Sequence, residues 1–158
     1  MENQLIMYRE SDLEECTNIY IDAFTAPPIE YHWLTKEKAW RYVRDLTIAP
    51  GFLGYTYWVD GEIAAFCFGH LDNYFDGSMF EVQELAVSSK YHRQGIGSQV
   101  MSLLETKLAG YNVAAVSLHT SRKLPAFNFY LKNGYEEMSE NATLTKWLID
   151  VDELEEES

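Results

Sequence analysis

The spacing of hydrophobic positions changes partway along the chain, dividing it into a helical first third and a strand-rich remainder. Residues 5–8 form a short run that predicts a first strand. Leu13, Cys16, Ile19, Tyr20, Ala23 and Phe24 then recur three and four apart, the stripe of an amphipathic helix. Ser11 and Glu14 stand in capping-box positions, one able to accept from an early amide and the other to reach back. Pro27-Pro28 ends this helix and opens a loop carrying Glu30, Tyr31, His32 and Trp33. Thr35 can cap a second helix running to about Ala49, where Pro50-Gly51 stops it.

From residue 52 onward the pattern favours strands. Segments 52–59 and 63–71 flank Asp60-Gly61, a strong hairpin signal, and Asp76-Gly77 marks a second turn before a strand at 79–87. Residues 95–109 read as a helix with Ile96, Val100, Leu103, Leu104 and Leu108 on one face. Segment 113–119 is apolar and β-branched, predicting a strand buried on both faces. A helix at 125–131 is stopped by Asn133-Gly134, and two closing strands are expected at 135–139 and 143–149. The order βααβββαβαββ predicts an α+β domain over residues 1–149 with a mixed central β-sheet flanked by helices, followed by an acidic tail at 150–158.

Composition narrows the class. The chain has 158 residues, enough for one core without covalent staples. No apolar run approaches the roughly 20 residues of a membrane span, and Met-Glu-Asn-Gln-Leu does not begin as a signal peptide does. Two cysteines, Cys16 and Cys67, are too few for a disulfide scaffold, so a reduced, cytoplasmic setting is expected. The net charge of −13 argues against nucleic acid as a partner. Six acids lie in the tail, and the remaining −7 still favours a cationic substrate through long-range attraction.

The chemistry concentrates in Gln83-Glu-Leu-Ala-Val-Ser-Ser-Lys-Tyr-His-Arg-Gln-Gly-Ile-Gly-Ser98. A strand ends near Val87 and a helix begins near Gly95. The two glycines let backbone amides approach a ligand, and the helix start adds free N–H groups and partial positive charge, together a site for a diphosphate. Lys90, His92 and Arg93 make a local basic island. A dinucleotide-binding fingerprint would need a third glycine, and a P-loop would need Gly-Lys-Ser/Thr, so neither applies. His32, His70, His92 and His119 show no metal-ligand spacing along the chain, and no metal site is expected.

Leu85-Ala-Val, the loop after it and His-Arg-Gln-Gly-Ile-Gly-Ser resemble the acetyl-CoA-binding signature of the GNAT superfamily of acyltransferases, with His92 where Gln or Arg is usual. Ala126, Tyr130 and Gly134-Tyr135 are similar to a second segment of that family, with Lys123 in its Asn position. The resemblance covers about residues 3–149 and implies the GNAT fold and acetyl-CoA as cosubstrate. It implies pyrophosphate contacts from the amides of Arg93, Gln94, Gly95, Ile96, Gly97 and Ser98, and strand-like pairing of pantetheine with Leu85, Ala86 and Val87.

Tyr130 occupies the family's tyrosine position and is the expected acid for the departing thiolate; otherwise it is a core tyrosine on an amphipathic helix. Glu84 is either the general base or a solvent-facing glutamate like Glu81. The Ala86 or Val87 amide is the expected oxyanion donor. Glu30, Tyr31 and Trp33 form either an aromatic, partly acidic wall for a cation or a packed crossover between helices. His119 ends a strand, as polar lining or as a capped end.

The expected reaction is acetyl transfer from acetyl-CoA to the primary amine of a small cationic molecule, by direct attack in a ternary complex. The strand reading Glu84-Leu-Ala-Val resembles that of aminoglycoside-type members of the superfamily. The alternatives are acetylation of a protein or peptide amine and a CoA-binding module without catalysis. Tyr55, Tyr57 and Trp147, if exposed, leave a homodimer open.

Overall fold

Among the described residues five strands form one sheet in chain order: β1 (Gln4–Met7), β2 (Phe52–Val59), β3 (Glu62–Tyr74), β4 (Gly77–Val87) and β5 (Val113–Leu118). The pairings from β1 to β4 are antiparallel, and β4 pairs β5 in parallel. The helices are α1 (Leu13–Thr25), α2 (Lys36–Thr47), α3 (Ile96–Gly110) and α4 (Pro125–Lys132). This computed structural model describes residues 3–27, 29–74 and 77–152. Two compact units divide the chain at residues 1–119 and 120–158, and the whole sheet lies in the first. No helix among the described residues is long and apolar enough to cross a membrane.

The β2–β3 hairpin turns where the sequence places it. Asp60 and Gly61 both take positive φ (50° and 80°), as a two-residue turn of the primed type requires. Thr35 caps α2, its hydroxyl accepting from the Lys38 amide at 3.2 Å. Cys16, Ile19 and Tyr20 of α1, with Ala39 and Val43 of α2, bury against Phe66 and Phe68 of β3 and Ala86 of β4. Side chains alternate along a strand, so Cys67 faces the other way, with its ladder partner Tyr55. Lys107 of α3 lies over the Tyr55 ring, and α3 buries Ile96, Val100, Met101, Leu104 and Leu108.

One irregularity in the β3–β4 ladder sets the geometry of the site. Phe68 pairs with Glu84 and Gly69 with Val82, so Gln83 is an extra residue in β4, a β-bulge. Phe68 and His70, two apart on β3, share a face, and their cross-strand partners are Glu84 and Glu81. A regular strand would send residues three apart to opposite faces; the bulge brings Glu81 and Glu84 to the same one. Gly69 permits it, because a Cβ there would sit 2.2 Å from the Glu81 carbonyl oxygen and 2.5 Å from the Phe80 ring.

Several expectations are corrected. The closing strands at 135–139 and 143–149 are not formed among the described residues: a strand needs a ladder partner, and the backbone bonds here are local, such as Asn141 N–H to the Met138 carbonyl. Leu144, Trp147 and Leu148 are exposed accordingly. β5 is not covered on both faces, since as the edge strand of the described sheet it leaves Ala114 and Ala115 exposed. Tyr55 and Tyr57 lie in the core and offer no surface for a partner, whereas Trp147 is exposed. Ser11 and Glu14 do not form the α1 cap; a 3-10 turn at Glu10–Asp12 precedes the helix and the Asp12 carboxylate accepts from the Arg9 amide at 3.1 Å. Leu103 is partly exposed, and Met101 takes its place in the core. Of the residues around Pro27-Pro28 and Asp76-Gly77, Pro28 and Asp76 lie outside the described residues, as do 153–158 of the tail.

Gly69 and Gly95 make a matched test. At Gly95 φ is 72° and an added Cβ meets nothing within 4 Å, so Gly95→Ala should cost only the left-handed penalty of about 1–2 kcal/mol. Gly69→Ala should cost at least twice as much, because the atoms it meets are backbone and a packed ring. Each kcal/mol lowers the melting temperature by about 2–4 °C in a chain of this size, which calorimetry resolves. Equal losses in the two variants would mean that the bulge tolerates a side chain at Gly69.

Candidate active site

Glu84 projects from the bulge toward the α1–α2 layer. Its carboxylate accepts a hydrogen bond from the Tyr42 hydroxyl at 2.9 Å, joining β4 to α2. Burial pushes its pKa from 4.5 up to about 7, and the Tyr42 bond pulls it back only in part. The same burial, followed by the nearby carboxylate charge, raises the phenol pKa values of Tyr42 and Tyr20. Glu84 is therefore a carboxylate poised to exchange protons near neutrality, with two phenols that stay protonated beside it.

An aromatic series runs outward from this group. Tyr42 packs on Tyr20 at 5.2 Å between ring centroids, Tyr20 on Phe24 at 4.7 Å, Phe24 on Tyr31 at 6.0 Å and Tyr31 on Trp33 at 5.2 Å. The last two pairs are stacked. The loop between α1 and α2 thus presents Tyr31 and Trp33 in line with Glu84, and Trp33 remains 46% exposed, more than a buried anchor would. Glu30, also exposed, takes positive φ (50°) in the same loop. Such a wall, aromatic with the Glu84 carboxylate at its inner end, suits a cation. Sequence reasoning missed Tyr42 and Tyr20, whose positions in their helices match ordinary core and surface residues. The isolated Gly69 inside a strand pattern was the one signal for the bulge.

The open side of β4 lies next to Glu84. β4–β5 pairing ends at Val82 and Leu118, whereas β4 stays paired to β3 as far as Val87. Ser88 donates to the Ala64 carbonyl of β3 at 2.8 Å, so alternation turns the Leu85 and Val87 amides to the unpaired edge and the Ala86 amide inward. Of the two expected oxyanion donors, only Val87 faces that edge.

The turn after β4 is pinned on two sides. Asp22 of α1 accepts from the Ser89 amide at 2.6 Å and its hydroxyl at 2.9 Å, and His92 Nε2–H donates to the Val87 carbonyl at 2.9 Å. Arg93 and Gly95 then both take positive φ (63° and 72°), which curls consecutive amides toward one side. No side chain caps α3, so the amides at the start of that helix are left for a ligand or solvent. Arg93, Gln94 and Gly95 are exposed while Ile96 anchors the turn in the core. The basic island is not a joint clamp: Lys90 pairs with Glu62 at 2.7 Å, which raises its pKa, and His92 is held by the strand end. Arg93 remains as the cation of the turn. An open groove of about 520 Å³ on the Lys90 side is lined by Asp12, Glu15 and Glu62, a poor setting for an anion.

Tyr130 lies in the second unit. It is buried in α4, edge-on to Phe129 at 5.0 Å and to Tyr135 at 5.2 Å. Gly134 takes φ 90° to end that helix. Burial pushes both the Cys16 and Cys67 thiols above their ordinary range, so neither offers a thiolate.

Residues 13–135 match the sequence profile of the family described as "Acetyltransferase (GNAT) family". No curated protein sequence matches the chain. Solved structures share the fold at low identity. A possible acetyltransferase from Clostridium difficile 630 is 14% identical with a TM-score of 0.76, over 95% of this chain and 99% of that one. An aminoglycoside acetyltransferase from an uncultured soil metagenomic sample is 17% identical with a TM-score of 0.66, over 95% and 100%. The aminoglycoside N-acetyltransferase AAC(6')-Iy in complex with CoA is 12% identical with a TM-score of 0.66, over 94% and 96%.

The bond from Tyr42 stabilises the charged form of Glu84, so removing it should raise the carboxyl pKa further. In Tyr42→Phe, the Glu84 titration followed by carboxyl-carbon NMR should move upward from about 7. A downward move, or none, would show that Tyr42 does not hold the carboxylate.

Proposed function

The chain belongs to the GNAT family of acetyltransferases, and from that premise we propose that it transfers an acetyl group from acetyl-CoA to the primary amine of a small cationic molecule by direct attack in a ternary complex. The observation that carries this reading is Glu84: a half-buried carboxyl group with a pKa near 7 at the inner end of an aromatic wall. An amine acceptor arrives as an ammonium, and a base near neutrality is what it needs. The aminoglycoside acetyltransferases among the similar structures support a small polycationic acceptor.

In this reading the amides of Arg93, Gln94, Gly95, Ile96, Gly97 and Ser98 take the pyrophosphate of acetyl-CoA, and Leu85, Ala86 and Val87 line the pantetheine along the open edge of β4. Glu30, Tyr31 and Trp33 receive the cation. Glu84 takes a proton from the ammonium, directly or through a water, and the freed nitrogen attacks the thioester carbonyl carbon. The Val87 amide stabilises the oxyanion of the tetrahedral intermediate. The carbon–sulfur bond then breaks and the thiolate takes a proton from Tyr130, whose position in the family's second segment is the support for that role. The acylated nitrogen sheds a proton that restores the phenol, and Glu84 returns its own to solvent.

A thiol-release assay with acetyl-CoA against polyamines, aminoglycosides, amino acids and peptides tests the reading. Turnover should appear with a polycationic small amine. Tyr130→Phe should then lower kcat by about a hundredfold or more with KM little changed, as loss of an acid acting in the transition state does. Stabilisation by acetyl-CoA without turnover on any amine would overturn catalysis in favour of a CoA-binding module. Turnover on peptides alone would overturn the choice of acceptor.

A further inference from the structure

The bulge that turns Glu84 inward also places Glu81 opposite His70, and this second cluster plays no part in the proposed reaction. His70 and Glu81 are direct cross-strand partners, and Asp72 follows His70 on the same face of β3. His70 Nε2 stands 3.3 Å from an Asp72 carboxylate oxygen and 3.5 Å from Glu81 Oε2, and one ligand atom from each of the three residues falls within 4.8 Å of the others. His119, just past β5, places its Nε2 3.3 Å from the other Glu81 oxygen, Oε1.

We propose that His70, Asp72 and Glu81 form a binding site for a divalent transition ion, zinc being the one it fits. Zinc bonds of about 2.0–2.2 Å to nitrogen and oxygen in a tetrahedron set neighbouring ligand atoms roughly 3.3–3.6 Å apart. Both His70–carboxylate distances fall in that range. Asp72 and Glu81 meet only imidazole nitrogens within 4 Å among the described residues, with no Lys or Arg beside either carboxylate. A dication compensates both. Three protein ligands leave a fourth position for water. His119 Nε2 lies 3.3 Å from Glu81 Oε1, the oxygen other than the one His70 approaches, a position from which it would orient the carboxylate. The side chains are 25%, 39% and 23% exposed, which leaves them held by the ladder yet open to an ion from solution. Spacing along the chain hid this set because residues eleven apart meet only through the β3–β4 register.

The test is a titration of the full-length, tag-free protein with zinc chloride, without acetyl-CoA, so its outcome is independent of the acetyl-transfer reading. Calorimetry should give one zinc per chain. His70→Ala should weaken binding by a hundredfold or more, and His119→Ala by about tenfold, as loss of an orienting partner does. Circular dichroism checks that the variants fold. On the wild-type chain alone, nitrogen NMR of the histidine rings should show His70 Nε2 shifting on zinc addition. Absence of binding, binding that survives His70→Ala in a folded variant, or binding without a His70 Nε2 shift would each overturn the proposal.

Discussion

A single extra residue in β4 governs the arrangement of the charged groups in this protein. The bulge at Gln83 is compatible with close packing only because Gly69 lets the Glu81 carbonyl and the Phe80 ring approach the β3 backbone. Without it, Glu81 and Glu84 would point to opposite sides of the sheet. With it, one carboxylate enters the α1–α2 layer beneath Tyr42 and the other meets His70 on an adjacent rung of the ladder. Backbone geometry thus places two acidic groups of different character within one strand.

Their difference is one of solvation. Glu84 is half-buried against α1 and α2, loses hydration, and has one neutral donor, Tyr42, in compensation, so its proton affinity rises toward neutrality. Glu62, at the exposed hairpin, has the Lys90 ammonium and the Tyr91 hydroxyl as partners, and its pKa falls. The two shifts in opposite directions follow from burial and partner charge alone. The turn at Arg93–Gly95 obeys the same logic with backbone groups: positive φ at two positions and an uncapped helix start present N–H dipoles instead of side-chain charge.

Much of the fold was legible in the sequence. Helical and alternating periods located α1, α2, α3, α4 and all five strands, and Asp60-Gly61 gave the hairpin its turn. The geometry of the glycine turn was legible too, because it is local in the chain. Several of the failures share a cause, since they concern residues distant in sequence. Segment 143–149 has no partner strand among the described residues, and the apolar run of β5 does not reveal that it stands at the edge of the described sheet. Tyr42 carries no local mark of its bond to Glu84, forty-two residues away. Lys90 and His92 read as free cations until the structure pairs each with a neighbour.

The account rests on Glu84 as a base whose proton affinity is set by burial. Its most direct test is the pH dependence of kcat/KM for acetyl transfer, measured for the wild-type chain and for Glu84→Gln with the same amine. The wild-type rate should rise through a limb with a pKa near 7. In the variant that limb should vanish and the plateau should fall by about a hundredfold to ten-thousandfold. A variant that keeps both the limb and the rate would assign the titration to the amine itself and contradict the role of Glu84.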